Sequence, residues 1–419
     1  LSLLKSNNND FLWNLLGMSY QNKSQYTKSI NCFKNSIKVN PNNIAALNNM
    51  GISHKGLRDY QKAENYFLKV LDKSPNYVNA IVNLGNIKND TFYFNDATNY
   101  YKKAFKIDNK NLLLCLNFSN SLQSINKIDE AKKYLLHALE INSEFTIADH
   151  KLSLLTNYDL SNLHLKSMLE KIKNTNLSND KKINLYFALA KGFEDCNEYD
   201  KSITYLKLGN KAQRNLLKYD QNYYTKLTEK IKDLFKKINY RKYVKSNKGK
   251  NKIFILGMPR SGTTLLEKII SSHSKVSTIS EINVIPEKLS KYFLNISDKE
   301  IDLKQIDVFL KSDFSAEYDN FVNLFNIKNK ITLDKTLTNF WYVGFIKIFF
   351  PQSKIIHNYR NPNDNYLSIY KNLFDVHEGW LYDEEEMHSY YTSYQNIMNF
   401  WNSIFNDEIL NFKYEELIK

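Results

Sequence analysis

The sequence predicts two architectures in series: an N-terminal all-α solenoid of helical hairpins, then an α/β domain built on a doubly wound parallel sheet. Three observations carry this. Apolar and small residues recur every 34 residues through the first third of the chain. A strand, a glycine turn and a helix follow one another from Lys252 to His273. From there onward, short β-branched runs alternate with longer helical patterns.

The repeats come first. Leu16 and Gly17 recur as Met50 and Gly51 and as Leu84 and Gly85, with Phe118 and Ser119 as a worn copy. Pro41 and Pro75 share the same interval. Trp13, Leu47, Ile81 and Cys115 fill one predicted core slot, and Phe33, Phe67, Tyr101 and Leu135 another. Ala63, Ala97 and Ala131 mark the close crossing of paired helices, where Ser29 stands in the first repeat. One hairpin cannot bury its own apolar face, so neighbours stack. A degenerate fifth hairpin is predicted over 185–214, with Leu189, Ala190, Ser202 and Leu206 in register; 144–182 reads as helical but off-pattern. Period and slots resemble the tetratricopeptide repeat. That resemblance implies a surface for a protein partner or for the substrate, on a concave face rich in Asn, Lys and Tyr. The predicted helical domain spans 1–240. A basic, polar linker with Ser246 and Gly249 covers 241–251, and the second domain covers 252–419.

A net charge of +14 raises the question of nucleic acid. The lysines are scattered over solvated helix faces and form no arginine-rich arm, so no nucleic-acid partner is expected. The longest apolar run, "FWYVGFIKIFF", is interrupted by Lys347 and is too short to span a bilayer. Cys32, Cys115 and Cys196 lie far apart, without a disulfide or zinc spacing; Cys115 reads as packing, and a reducing, cytoplasmic setting is expected.

In "KIFILGMPRSGTTLLEKIISSH", Gly257 and Gly262 free the backbone so that successive amides can face an anion, with a helix N-terminus behind them. The lysine of a nucleotide-kinase loop is absent; Thr263 holds its place. Further strands are predicted at "VSTIS", "KITLDK", "SKIIHNYR" and "EILNFKYEEL", with helices at "FWYVGFIKIFF", "NDNYLSIYKNLF" and from "EEEM" to "NSIF". Arg260, Lys335 and Arg360 then fall at the carboxyl ends of strands, where such sheets bind ligands. Three converging cations call for a polyanion. His273 reads as a helix terminus, His357 as a core histidine, His377 as a loop residue, and "DEEEM" as a helix start. "KYEEL" reads as packing, and Asn361 or Asn363 as a helix cap.

"PRSGTTLL", the glutamate of "SEINVIPE", "DKTLTNF" and "IIHNYRNPNDNYLSIY" together resemble sulfotransferases that use 3′-phosphoadenosine 5′-phosphosulfate, with a P-loop-like fold. The catalytic half is most similar to tyrosylprotein sulfotransferases, and the whole chain to bacterial tetratricopeptide-repeat sulfotransferases. The resemblance implies that Arg260, Ser261, Gly262, Thr263 and Thr264 hold the 5′-phosphosulfate and that Arg360 and Ser368 hold the 3′-phosphate. It further implies that Lys335 neutralises the leaving phosphate, that Glu281 is the general base, and that no metal takes part. The implied acceptor is a hydroxyl of a carbohydrate, a peptide tyrosine or a small metabolite. Leu337 and Ser274 replace family prolines, and Asn283 replaces an arginine of the tyrosylprotein enzymes, which speaks against an acidic tyrosine peptide. The family also continues past "YEEL", so further sequence is expected beyond residue 419. Two other readings are a catalytically decayed repeat scaffold and a nucleotide kinase, the latter disfavoured by Thr263.

Overall fold

A computed structural model describes residues 9–245, 247–293, 301–323, 325, 330–376 and 378–418. By packing, the chain divides into compact units Leu1–Thr175 and Asn176–Lys419. His377 and Ser246 lie outside the described residues.

In the first unit, α1 (Asp10–Asn22), α2 (Tyr26–Val39), α3 (Ile44–Gly56), α4 (Tyr60–Lys73), α5 (Val78–Asp90), α6 (Phe94–Ile107), α7 (Leu112–Ser124) and α8 (Ile128–Ile141) pair into successive hairpins. The predicted slots are the core: Phe33, Phe67, Tyr101 and Leu135 are buried, as are Ala63, Ala97 and Ala131. Ser29 is tolerated in the alanine slot because its hydroxyl meets that of Ser53 at 2.8 Å. Cys115 is fully buried, and burial pushes its thiol up to about 11, which leaves it unreactive. Trp13 is only half-buried. Side chains of Asn43, Asp59 and Asn111 cap the helices that follow them. The off-pattern stretch holds two short helices, α9 (Thr146–Ser153) and α10 (Leu163–Lys171).

The second unit begins with α11 (Asn179–Asp195), α12 (Tyr199–Leu216) and α13 (Tyr223–Lys237). The first two form the worn hairpin, with Ser202 donating to the Ala190 carbonyl at 2.8 Å. These helices pack on the sheet domain. Arg214 makes a two-pronged ion pair with Glu386 at 2.6 Å, Asn210 donates to the Tyr370 carbonyl, and Phe235 packs edge-on against Phe345 and Trp401. The basic stretch after them is tied down through Lys245 N–H to the Ile348 carbonyl.

Five parallel strands follow: β1 (Lys252–Leu256), β2 (Val276–Ser280), β3 (Ile331–Asp334), β4 (Lys354–Tyr359) and β5 (Ile409–Lys413). Their order across the sheet is β2-β3-β1-β4-β5. Covering helices are α14 (Thr263–Ser271), α15 (Val284–Phe293), α16 (Leu303–Lys311), α17 (Phe314–Val322), α18 (Val343–Phe349), α19 (Pro362–Tyr370), α20 (Glu384–Ile404) and the short α21 (Tyr414–Leu417). The doubly wound sheet is the one the sequence predicts. "FWYVGFIKIFF" splits into a 3-10 turn, Leu337–Tyr342, and α18, and both are buried. Lys347 reaches out of that core to Glu408 at 2.7 Å. No helix among the described residues is long and apolar enough to cross a membrane.

Candidate active site

β1 is the central strand, and its carboxyl end opens into the loop 257–262. Gly257 and Gly262 have positive φ (152° and 93°), as does Arg260 (65°), so the chain coils and turns its amides toward one side. At Gly262 a Cβ would run into the ring of Tyr414. The helix α14 starts there without a side-chain cap. Its first amides, Gly262, Thr263 and Thr264, have no acceptor among the described residues. Such a helix start is a ready anion seat.

The loop is held from behind by residues that the sequence did not single out. Asn358, on β4, donates to the Ser261 carbonyl at 2.6 Å, and Asn365, on α19, donates to the Pro259 carbonyl at 2.7 Å. Both asparagines are fully buried. Ser261, expected to hold the anion, is buried and does not line the cavity over the loop: its hydroxyl (2.7 Å) and its amide (3.3 Å) both donate to the Met258 carbonyl, so it locks the loop from within.

A cavity of about 700 Å³ lies over this loop. Arg260, Gly262, Thr263, Thr264, Glu281, Arg360 and Ser368 all line it. Arg260 Nε donates to Ser368 Oγ at 3.1 Å, so the serine expected beside Arg360 here sits on Arg260. Arg360 has a buried Nε without a partner among the described residues, and its guanidinium lies 5.0 Å over the Tyr414 ring. Tyr414, within the segment read as packing, therefore lines the site. Its neighbour Glu415 accepts the Asn361 amide at 2.9 Å, and Asn361 caps α19 by accepting from Asn363 N–H.

Lys335 follows β3 directly and is buried beside the cavity. Its ammonium donates to Glu281 Oε1 at 2.5 Å and lies 3.6 Å from Glu267 Oε2. Glu267, on α14, is buried and is the second carboxylate of this cluster; Thr278 donates to its other oxygen at 2.5 Å. Its sequence setting, "LLEKII", reads as an ordinary amphipathic helix, and only the adjacency of β3 to β1 shows its role. Asp334 accepts the Thr336 amide (2.8 Å) and the Tyr318 hydroxyl (2.7 Å), which fixes the turn carrying Lys335. Burial raises the Asp334 carboxyl.

The remaining wall is mostly aromatic: Tyr224 from α13, Phe374, Trp380 and Tyr390, with Leu381 and Glu378 among them. His357 lies outside it. It is buried, meets Asn411 Oδ1 at 2.7 Å and the Tyr394 hydroxyl, and burial lowers it to about 4, so it is a neutral core histidine. His273 ends α14, its Nδ1 accepting the Lys275 amide. Asp383 caps α20 by accepting from Glu386 N–H.

This geometry meets the comparisons with known proteins. Residues 252–419 match the model of the sulfotransferase family. Tetratricopeptide-repeat models match residues 12–43, 44–74, 78–111 and 113–145. An uncharacterised protein of Aquifex aeolicus is 26% identical over 307 residues, which are 71% of this chain and 40% of that protein, so the chain spans less than half of that relative's length. Among solved structures, PilF of Pseudomonas aeruginosa matches with 15% identity and a TM-score of 0.38, covering 47% of this chain and 88% of PilF. A thermophilic TPR protein of Thermus thermophilus matches with 17% identity and a TM-score of 0.34, covering 43% and 98%. Tandem repeats and the site-bearing domain thus fall where the family models place them: the chain is a tetratricopeptide-repeat protein with a sulfotransferase-family domain.

Proposed function

We propose that the second unit moves a sulfuryl group from 3′-phosphoadenosine 5′-phosphosulfate to an acceptor hydroxyl, with no metal ion. The observation that carries this reading is the convergence, in one cavity, of partnerless helix-start amides with Arg260 and Arg360, beside the buried Lys335. Arg360 lines the cavity, and its guanidinium charge suits a ligand phosphate. The donor, when bound, supplies the sulfuryl group and a phosphate leaving oxygen. Gly262, Thr263 and Thr264 would hold its 5′ end through amides and hydroxyls, and Arg360 its 3′-phosphate, with Ser368 shared between the two arginines. Lys335 would turn from Glu281 to the oxygen where negative charge grows as the S–O bond breaks. Released from that ion pair, Glu281 would take the proton of the attacking hydroxyl. Both groups project from neighbouring strand ends, so the acceptor needs only to be held between them.

For the repeats we propose partner binding. A polar hollow in the first unit, lined by Lys55, Asn86, Asn89, Asn117 and Asn120, offers amide donors and acceptors in a row. The test of the transfer reading is incubation of the chain with labelled donor and a mixture of hydroxyl acceptors. Label should pass to an acceptor with the native chain, and Arg260→Ala should lower the rate at least about a hundredfold. Absence of donor-nucleotide binding by the native chain would defeat the reading.

A further inference from the structure

The cavity has two chemically different ends. Toward β1, β4 and β5 it offers the helix-start amides, Arg260, Arg360 and the Tyr414 ring. The other end is walled by Tyr224, Trp380 and Tyr390 around the carboxyl group of Glu378. These walls are rigid: Trp380 stacks on Tyr390 with ring centres 3.6 Å apart, and Tyr224 stacks on Trp341 at 5.3 Å. Trp341 belongs to the 3-10 turn that begins two residues after Lys335, which ties this wall to the segment carrying the lysine.

Glu378 has an unusual position for a carboxylate. Tyr224 Oη donates to its Oε2 at 3.0 Å, and among the described residues it has no ion-pair partner. Burial pushes its pKa up. A carboxylate withdrawn from water and given only neutral donors is poorly compensated, and a cation is the partner that restores it. Tyr224, Trp380 and Tyr390 beside it carry no positive charge, so this part of the wall offers nothing to a second anion.

Resting on the sulfuryl-transfer reading above, we propose that the acceptor is a hydroxyl compound bearing an ammonium group, of the amino-sugar or amino-alcohol type. The ammonium sits against Glu378 within the aromatic walls, and the hydroxyl faces Glu281. The hydroxyl oxygen forms the new bond to sulfur while the bond from sulfur to the donor's phosphate oxygen breaks. The electron pair leaves with that phosphate, the hydroxyl proton goes to Glu281, and the ammonium keeps its own protons.

The test uses the full chain saturated with 3′-phosphoadenosine 5′-phosphate, titrated with matched probes: glucosamine against N-acetylglucosamine and glucose, and ethanolamine against ethylene glycol. The same probes then serve as acceptors with labelled donor. At least one amine should bind about tenfold tighter than its neutral counterparts, with a matching fall in KM. In Glu378→Gln this ratio should shrink to within about twofold, while nucleotide affinity stays unchanged. A merely structural Glu378 would alter stability and leave the ratio intact, which overturns the proposal. So would equal or tighter binding of the neutral probes, or no amine binding to the nucleotide-saturated chain. Failure of the nucleotide itself to bind would overturn the transfer reading, and this inference with it.

Discussion

Lys335 is held by two carboxylates at once, Glu281 at 2.5 Å and Glu267 at 3.6 Å. Glu267 is buried, whereas the Glu281 side chain is 45% exposed, so Glu267 is the permanent countercharge and Glu281 the one that a ligand can displace. Lys335→Met is therefore expected to lower kcat at least about a hundredfold while affinity for 3′-phosphoadenosine 5′-phosphate changes less than about threefold. Single-turnover rates and calorimetry together check this split. His357 makes a second residue-scale prediction. Burial lowers it to about 4 from 6.5, so as pH falls the unfolded chain takes up the proton first. Its contribution is complete above about pH 6.5, declines as the pH drops toward 4, and amounts to roughly 3 kcal/mol at most. Urea unfolding between pH 4 and 7 should show a shallower loss in His357→Gln than in the native chain. That Arg260, Glu281 and Arg360 line one cavity, with Lys335 beside it, was legible because their motifs are local in sequence. Glu267, Asn358 and Asn365 were not, because a buried partner on another strand or helix leaves no periodic trace.

At the scale of elements, the anion loop depends on one backbone angle. Gly262 combines φ of 93° with the Tyr414 ring packed where a side chain would stand. Gly262→Ala should strain the turn, push Tyr414 away from Arg360 and weaken nucleotide binding by about tenfold or more, with only a modest fall in Tm. Titration with 3′-phosphoadenosine 5′-phosphate reads the effect directly. The strands were legible from β-branched runs between turn residues; the last is shorter than predicted, because Tyr414–Leu417 of the run "EILNFKYEEL" turn into the helix α21. "FWYVGFIKIFF" was legible only in part. A run apolar but for Lys347 carries no clear period, so its division into a 3-10 turn and a helix, packed against Trp401 and Phe235, could not be read from it.

For the molecule as a whole, the informative boundary is at 175. The repeat pattern made the hairpin of α11 and α12 visible, through Leu189, Ala190, Ser202 and Leu206. It placed that hairpin in the helical domain 1–240, since an apolar face fits another repeat or a sheet domain equally well in sequence. The observed cover is the sheet unit, through the Arg214–Glu386 pair and the Phe235 contacts. A fragment of residues 176–419 should accordingly fold cooperatively and bind 3′-phosphoadenosine 5′-phosphate. A fragment of residues 241–419 lacks α11 to α13, bares the apolar face around Trp401 and Phe345, and should aggregate. Circular dichroism melts of the two fragments check this.

Tyr224 is carried by α13, yet it forms part of the wall beside Glu378. On the proposed function, substitutions there reshape what the second unit accepts without disturbing the loop, Lys335, Arg260 or Arg360. One wall of the proposed acceptor pocket is thus written on a helix that precedes the sheet, and it can drift through mutation while the proposed donor residues stay fixed.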